Sequence, residues 1–330
     1  MVLSYKELDN KKKQIDSFRP LNFDLINNLE KWFKVELTYT SNAIEGNTLT
    51  RKETAVVVEK GLTIGGKSLI EHLEAINHAK ALDLIHSLSE SKKTIKEHEI
   101  LSIHYAILKG IDDHNAGKYR NVAVRISGSS VVMPAAHKIN NLMEEFINWL
   151  NNEGNNIHPV EKAALAHYKL VSIHPFTDGN GRTARLLMNL ILIQNGYPPA
   201  IINNKYRLEY INALEKAQLG GNLKDYLNII INAVDKSLEI YLRAIKDEEP
   251  ILDKEIELLK IGQLAKKVNE PIPTIRYWTS LGLINIDSYT KSGYGLYNSN
   301  VIDIIEKIKA LQKERYTLEE IKQKIHKGNI

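Results

Sequence analysis

The chain has 330 residues, 43% hydrophobic and 25% charged, a globular balance that excludes a disordered or collagen-like protein and, at roughly 150 residues per domain, predicts about two domains. It has no cysteine, which excludes disulfides, cysteine-ligated zinc, iron–sulfur clusters and thiol catalysis. With 44 basic and 40 acidic residues the net charge is only +4, too even to name nucleic acid as a partner, although a small DNA-binding module stays compatible with it.

The opening residues from Met1 to Glu7 lack the apolar stretch of a signal peptide, and the longest apolar run, Leu186 to Ile193, is far short of the ~20 residues that span a bilayer. A soluble, cytoplasmic protein with no membrane partner is expected. Apolar residues at helical spacing (Leu25, Ile26, Leu29, Trp32, Phe33) predict a helix over Leu25–Tyr39. Thr50 and Glu53 form a capping box that opens a second helix, with Gly61 as its C-cap. Residues 61–68 match the P-loop expression, yet a capped helix leads into them and no later strand ends in a magnesium-binding Asp, so a glycine-rich helix connection is expected. Further helices are predicted over Ser68–Ser87, Glu97–Lys109, Lys138–Asn151, Val160–Ile173, Thr183–Asn195, Leu208–Gln218 and Leu223–Lys246. One segment breaks the helical pattern: Asn121–Ser127 alternates with period two, then meets Gly128-Ser129-Ser130 and Val131–Pro134, which predicts a short β-hairpin. Lys246–Leu252, a charge cluster followed by Pro250, is the expected linker. Beyond it, two short helices joined by a turn (Ile261–Val268 and Pro273–Leu283), a small two-stranded wing at Ser292–Tyr297, and closing helices at Asn300–Arg315 and Leu318–Lys327 are predicted.

The chemistry concentrates in residues 174–185, His-Pro-Phe-Thr-Asp-Gly-Asn-Gly-Arg-Thr-Ala-Arg, between two predicted helices. Gly179 and Gly181 let the backbone turn and bring N–H groups close to an anion at a helix N-terminus, and Asn180 adds a side-chain amide. Arg182 and Arg185 sit at i, i+3, so their forked donors can reach successive phosphates. Asp178 is a hard oxygen ligand suited to Mg²⁺, and His174 is the base of the stretch that works near neutral pH. Together these parts imply phosphoryl or nucleotidyl transfer. Other histidines (His72, His78, His98, His104, His137, His158, His167) lack metal-ligand spacing and read as surface or satisfied core groups.

The whole string resembles the Fic family signature H-x-F-x-[D/E]-G-N-G-R-x-x-R at every fixed position. The resemblance implies a mainly α Fic fold with a small β-hairpin flap, in a protein that transfers AMP from ATP to a Ser, Thr or Tyr hydroxyl of a target protein, itself included, and releases pyrophosphate. It implies His174 as the general base, Phe176 as a core anchor, and Asp178 as the Mg²⁺ ligand. The amides of Gly179, Asn180 and Gly181 would form the α-phosphate anion hole, with Arg182 and Arg185 on the outer phosphates. The flap, with Ser130, Val131, Val132 and Met133, would hold the target as an added strand, while Tyr210 and Gln218 match positions that line the adenosine pocket. Ser41-Asn-Ala-Ile-Glu45-Gly46 resembles the inhibitory-helix signature of autoinhibited Fic proteins, here N-terminal to the core. One helical turn separates Ser41 from Glu45, and a Glu45 carboxylate paired with Arg185 would displace the γ-phosphate. Read alone, the same residues also suit a helix N-cap at Ser41 or Asn42 with Glu45 completing a capping box.

Residues from about 255 onward resemble the DNA-binding domain of MerR-type regulators, through Ile261-Gly-Gln-Leu-Ala, Thr274-Ile-Arg-Tyr-Trp, Leu281-Gly-Leu, Ser292-Gly-Tyr and Tyr316-Thr-Leu-Glu-Glu-Ile. That resemblance implies a winged helix-turn-helix with Arg276, Tyr277, Lys291 and Tyr294 on DNA phosphates. The wing departs from the pattern: Gly295 follows Tyr294 where an arginine is common, and Asp287 adds negative charge. The expected division is an N-terminal helical region with the inhibitory helix (1–95), a Fic core (96–249) and the winged helix-turn-helix (250–330). Three alternatives remain at this stage: a hydrolase that removes AMP at the same site, a nucleotide-responsive DNA-binding regulator, and transfer of UMP, GMP, phosphate or phosphocholine. The target and the oligomeric state, a homodimer included, stay open.

Overall fold

The second helix, Phe23–Ile44, is longer than its apolar pattern predicts, and the extra length carries the inhibitory signature. In the computed structural model, which describes residues 4–91, 94–126, 128–248, 258–290 and 293–326, this α2 opens at Asn22, whose side chain accepts from the N–H groups of Asp24 and Leu25. The periodicity fades near its end because the last turns are covered on every face: Thr38, Thr40, Ser41 and Asn42 are buried beside Leu37, Tyr39, Ala43 and Ile44. Ser41 therefore lies in the last turn of a helix and is not an N-cap. Gly46 follows with a φ of +89°, the left-handed backbone that stops a helix and that glycine adopts without strain.

Ahead of it, α1 (Tyr5–Ser17) has no counterpart in the predicted elements. Its buried residues are Leu8 and Ile15, too sparse a stripe to read as a period; ion pairs from Lys11 Nζ to Asp235 Oδ1 (2.6 Å) and Glu239 Oε1 (2.9 Å) help hold it. After α2 come α3 (Arg51–Lys60), α4 (Leu69–Glu90, with a Ser68/Glu71 capping box), α5 (Glu97–Leu108) and α6 (Ile139–Asn151). The P-loop-like residues 61–68 connect α3 to α4 with no strand before them, as a helix connection should. Then follow α7 (Pro159–Ile173), α8 (Asn180–Gln194), α9 (Arg207–Gln218) and α10 (Lys224–Ile245). Packing against α4, α5 and α7, α8 is buried along most of its length. Each fully buried Leu or Ile there contributes about 1.5–3 kcal/mol, so the helix that begins at the glycine-rich loop is also the most firmly held.

The alternating segment gives no paired strands among the described residues of 121–134, so the β-hairpin expectation gives way to an irregular loop; Ser127 lies outside the described residues. Side chains replace a ladder. The Arg120 guanidinium donates to the carbonyls of His174 (2.7 Å), Val122 (2.8 Å) and Pro134 (2.7 Å), closing the base of the loop. At its tip, Glu215 Oε1 accepts from Ser129 Oγ (2.9 Å) and the Ser130 N–H (2.8 Å).

The chain divides into two compact units. The first comprises residues 1–45 and 51–253, so the regions expected as 1–95 and 96–249 share one unit. The second comprises 254–330 together with 46–50. It contains β1 (Leu258–Lys260), α11 (Ile261–Val268), α12 (Ile272–Ser280), β2 (Ser288–Tyr289), β3 (Gly295–Asn298), α13 (Val301–Lys313) and α14 (Leu318–His326). The strands form an antiparallel sheet in the order β1–β3–β2, one strand more than the expected wing. Leu259, Leu264, Ile275, Trp278, Tyr297 and Ile305 form its core. On α12, Ile275 and Trp278 face inward while Arg276 and Tyr277 are exposed, and Tyr294 beside β3 is 66% exposed. Lys291, and residues 249–252 of the expected linker, lie outside the described residues. No helix among the described residues is long and apolar enough to cross a membrane.

Candidate active site

Residues 174–179 join α7 to α8, and each backbone bend has a local cause. His174 ends α7 in the left-handed region (φ 52°, ψ 58°), its N–H donating to the Leu170 carbonyl at 2.9 Å. Its ring Nδ1 lies 3.3 Å from the Val171 carbonyl, which can only accept. The ring hydrogen therefore sits on Nδ1 and Nε2 keeps its lone pair, the state a general base requires. Burial pushes the His174 pKa below its ordinary 6.5, with the Arg120 charge adding to it.

Phe176 is fully buried and stacks on His104, ring centroids 3.6 Å apart and 6° from parallel. His104 in turn ties the loop down. Its Nδ1 accepts from the Gly117 N–H (3.0 Å), so its Nε2 carries the hydrogen and donates to the Asp178 carbonyl (3.0 Å). Burial lowers the His104 pKa to about 4 and keeps the ring neutral. Asn180 has a different job from the one its sequence position suggests. Its side-chain oxygen accepts from the Phe176 N–H (3.0 Å) and its nitrogen donates to the Phe176 carbonyl (2.9 Å), so the amide closes the loop and is not turned toward a ligand.

Gly179 N-caps α8 at a φ of +77°, but its own N–H donates to Asp178 Oδ1 at 2.7 Å, so this N–H, expected in the anion hole, faces the loop. The N–H groups at the start of α8, residues 180–182, have no intrahelical acceptor and lie at the positive end of the helix dipole. A Cβ built on Gly181 would overlap Glu45 Oε1 and come within 3.1 Å of an Arg185 nitrogen. The Glu45 carboxylate therefore lies directly against the first turn of α8, where an anion is favoured.

Arg185 binds the end of α2 through three bonds: Nε to Ser41 Oγ (2.9 Å), Nη2 to the Ser41 carbonyl (3.0 Å) and Nη2 to Glu45 Oε1 (2.7 Å). Burial pulls the Glu45 pKa up, but the Arg185 and Arg182 charges more than offset it and hold the carboxyl below its ordinary value. Arg182, expected on the outer phosphates, is instead 1% exposed, with Nη1 3.2 Å from Glu74 Oε1 and Nη2 3.5 Å from Asp178 Oδ1. It supplies positive charge from beneath the loop. Asp178 is the loop's carboxylate and is partly exposed at 44%. Among the described residues no cluster of three or more His, Cys, Asp or Glu could hold a metal. One loop carboxylate fits Mg²⁺ bound mostly through water and phosphate oxygens, and not an all-protein cage.

Tyr210, expected to line an adenosine pocket, is 2% exposed and hydrogen-bonds His167 Nε2 at 2.7 Å. Gln218 Nε2 donates to Ser172 Oγ at 3.2 Å, linking α9 to α7. On the loop over 121–134, Val132 is 91% exposed, Met133 is buried, and Ser130 is exposed. Glu74, His104, Arg120 and Glu215 are supporting residues that motif reading passes over. None belongs to a local pattern, and each has a partner far away in sequence.

The Fic/DOC family model matches residues 94–192, and the MerR HTH family regulatory protein model matches residues 259–327. A protein adenylyltransferase Fic from Drosophila grimshawi is 38% identical over 241 residues, covering 73% of this chain and 49% of that protein. The chain thus spans about half the length of the curated relatives it matches. The structure of Fic-1 residues 134–508 from C. elegans superposes with a TM-score of 0.67 at 32% identity, over 73% of this chain and 72% of that one. A Fic-domain-containing signalling protein from Bacteroides thetaiotaomicron gives 0.67 at 30% identity, over 74% and 98%. The loop, its helices and these relatives agree: the chain belongs to the Fic/DOC family, with a C-terminal unit that matches the MerR helix-turn-helix family.

Proposed function

We propose that the chain is a protein adenylyltransferase held inactive by Glu45. The observation that carries this reading is the Glu45 carboxylate lying against Gly181 and bonded to Arg185 at 2.7 Å, one anion on the first turn of α8 where another would bind. In the reaction, a target hydroxyl oxygen attacks the α-phosphorus of ATP. His174 Nε2 takes the hydroxyl proton, the new O–P bond forms as the bond to the bridging oxygen breaks, and pyrophosphate leaves. The N–H groups of residues 180–182 stabilise charge on the α-phosphate oxygens, and Arg185 holds the outer phosphates once Glu45 releases it. Mg²⁺, with Asp178 as its protein ligand, neutralises phosphate charge when bound. Residues 130–133 present the edge on which a target strand docks, and Gln218 borders the nucleoside site.

With Glu45 in place, ATP binds with its phosphates displaced, and an in-line transfer misaligned by about 1 Å loses on the order of 100-fold in rate. The same carboxylate beside Gly181 favours a second reading, in which Glu45 orients a water that removes AMP from a modified hydroxyl. The second unit binds DNA through Arg276, Tyr277 and Tyr294.

The test is incubation with labelled ATP and Mg²⁺. Glu45→Gly is expected to modify itself or added protein at least about 100-fold faster than wild type, and Glu45→Gly/His174→Ala to fall back to background. No gain in Glu45→Gly with ATP still bound removes the brake. Loss of AMP from a modified substrate that needs Glu45 supports the hydrolase instead.

A further inference from the structure

Arg120 is 4% exposed, and its donors all meet backbone carbonyls. Nε donates to the His174 carbonyl at 2.7 Å, Nη1 to Val122 at 2.8 Å and Nη2 to Pro134 at 2.7 Å. Its backbone N–H donates to the Pro175 carbonyl at 2.9 Å. Val122 and Pro134 stand at the two ends of the loop over 121–134, and the other two acceptors are consecutive carbonyls at the base. Among the described residues no carboxylate pairs with this guanidinium, and burial alone pulls its pKa down. A buried cation without a counter-charge costs stability, which a neutral donor at the root of a loop would not. What the guanidinium adds is a rigid planar fork, whose nitrogens hold three carbonyls at fixed angles to one another. His174 needs such a hold: its backbone lies in the left-handed region (φ 52°), which a residue other than glycine keeps only when its surroundings impose it.

We propose that Arg120 is a positioning residue that ties the target-docking loop to the backbone of His174, so that a hydroxyl held on residues 130–133 meets the imidazole at a fixed distance. The inference rests on the adenylyltransferase reading above and adds to it how the base and the docking edge keep their register. Arg120 touches no reacting atom; it acts through the carbonyls of His174, Val122 and Pro134. Glu215 fastens the tip of the same loop to α9 through Ser129 and Ser130, so its loss frees the loop without touching the His174 carbonyl.

Two nucleophiles can attack the α-phosphorus of ATP in Glu45→Gly, and they separate this role from a merely structural one. A protein hydroxyl gives AMP on protein and a water gives free AMP, each with release of pyrophosphate. Both use the base, but water does not use the docking loop. With labelled ATP and Mg²⁺, adding Arg120→Met is expected to lower AMP on protein about 100-fold and free AMP by less, so that their ratio falls at least about ten-fold. An unchanged ratio, as a misfolded fraction or a base displaced on its own would give, overturns the tie. Amide hydrogen exchange decides the same point without nucleotide or target. Introduced into the wild-type chain, Arg120→Met is expected to speed exchange at least several-fold in residues 121–134 and in residues 174–179, whereas Glu215→Ala speeds it in residues 121–134 alone. Faster exchange confined to the loop in Arg120→Met, or no change in either segment, contradicts the tie. If Arg120→Met speeds exchange throughout α10 as well, Arg120→Lys, whose single nitrogen cannot reproduce the fork, takes its place with the same expectations. A Glu45→Gly parent that forms neither product counts against the adenylyltransferase reading, with the exchange still deciding the role of Arg120.

Discussion

The Glu45 carboxylate lies against the first turn of α8 and bonds the Arg185 guanidinium, the same few atoms for which a phosphate group competes in the proposed mechanism. The pair is charge-assisted, and the Arg185 and Arg182 charges keep the carboxyl ionised even though burial opposes it. Since its pKa lies below the ordinary 4.5, Glu45 stays ionised above that value, and the proposed brake is expected to be insensitive to pH there. For the proposed base, the titration moves away from neutrality. Burial lowers the His174 pKa below 6.5, so Nε2 stays unprotonated through the neutral range. AMP transfer by Glu45→Gly is therefore expected to be flat between pH 8 and 7, with its acid limb centred below 6.5. Initial rates across that range check it, and a limb centred at or above 6.5 contradicts the assigned environment of His174.

Among the elements, α2 and the loop over 121–134 matter most. The end of α2 positions Ser41 and Glu45 because a glycine with a positive φ stops the helix one residue later. The loop holds its shape through Arg120 at the base and Glu215 at the tip, with no strand pairing among its described residues. Glu215→Ala removes two hydrogen bonds to a carboxylate, each worth about 1.5–3 kcal/mol in a protected site and less here, where the partners are partly exposed. Trypsin is expected to cut after the exposed Arg125 at least several-fold faster in this variant, with the helical content unchanged. Equal cleavage rates mean that Glu215 does not anchor the loop. Period-two alternation predicted a hairpin here because the sequence shows which residues alternate and not what their backbone groups bond to. Residues 174–185 were legible for the opposite reason: their glycines, histidine and arginines lie within one continuous stretch of the chain. Asn180 shows the limit even there, since a side-chain amide reads the same whether it faces a phosphate or folds back on Phe176.

At the scale of the molecule, the helices and the C-terminal helix-turn-helix could be read from sequence because they are patterns of short range, whereas the division expected at residue 95 falls inside one compact unit. The supports of the site were not legible. Glu74 meets Arg182 across 108 residues and His104 meets Asp178 across 74, and no local spacing encodes such distances. The first helix was missed because two buried residues make no period, and the burial of Arg182 could not be foreseen because an arginine in a loop motif reads as exposed. In the proposed mechanism, these distant contacts hold the loop ready for an anion while α2 fills the position with a carboxylate of its own. A crystal structure of Glu45→Gly with a non-hydrolysable ATP analogue and Mg²⁺ tests this most directly. The account predicts the α-phosphate on the N–H groups of residues 180–182 and the outer phosphates on Arg185, with His174 Nε2 facing the α-phosphorus. An analogue bound elsewhere, or a first turn of α8 left bare after Glu45 has been removed, contradicts it.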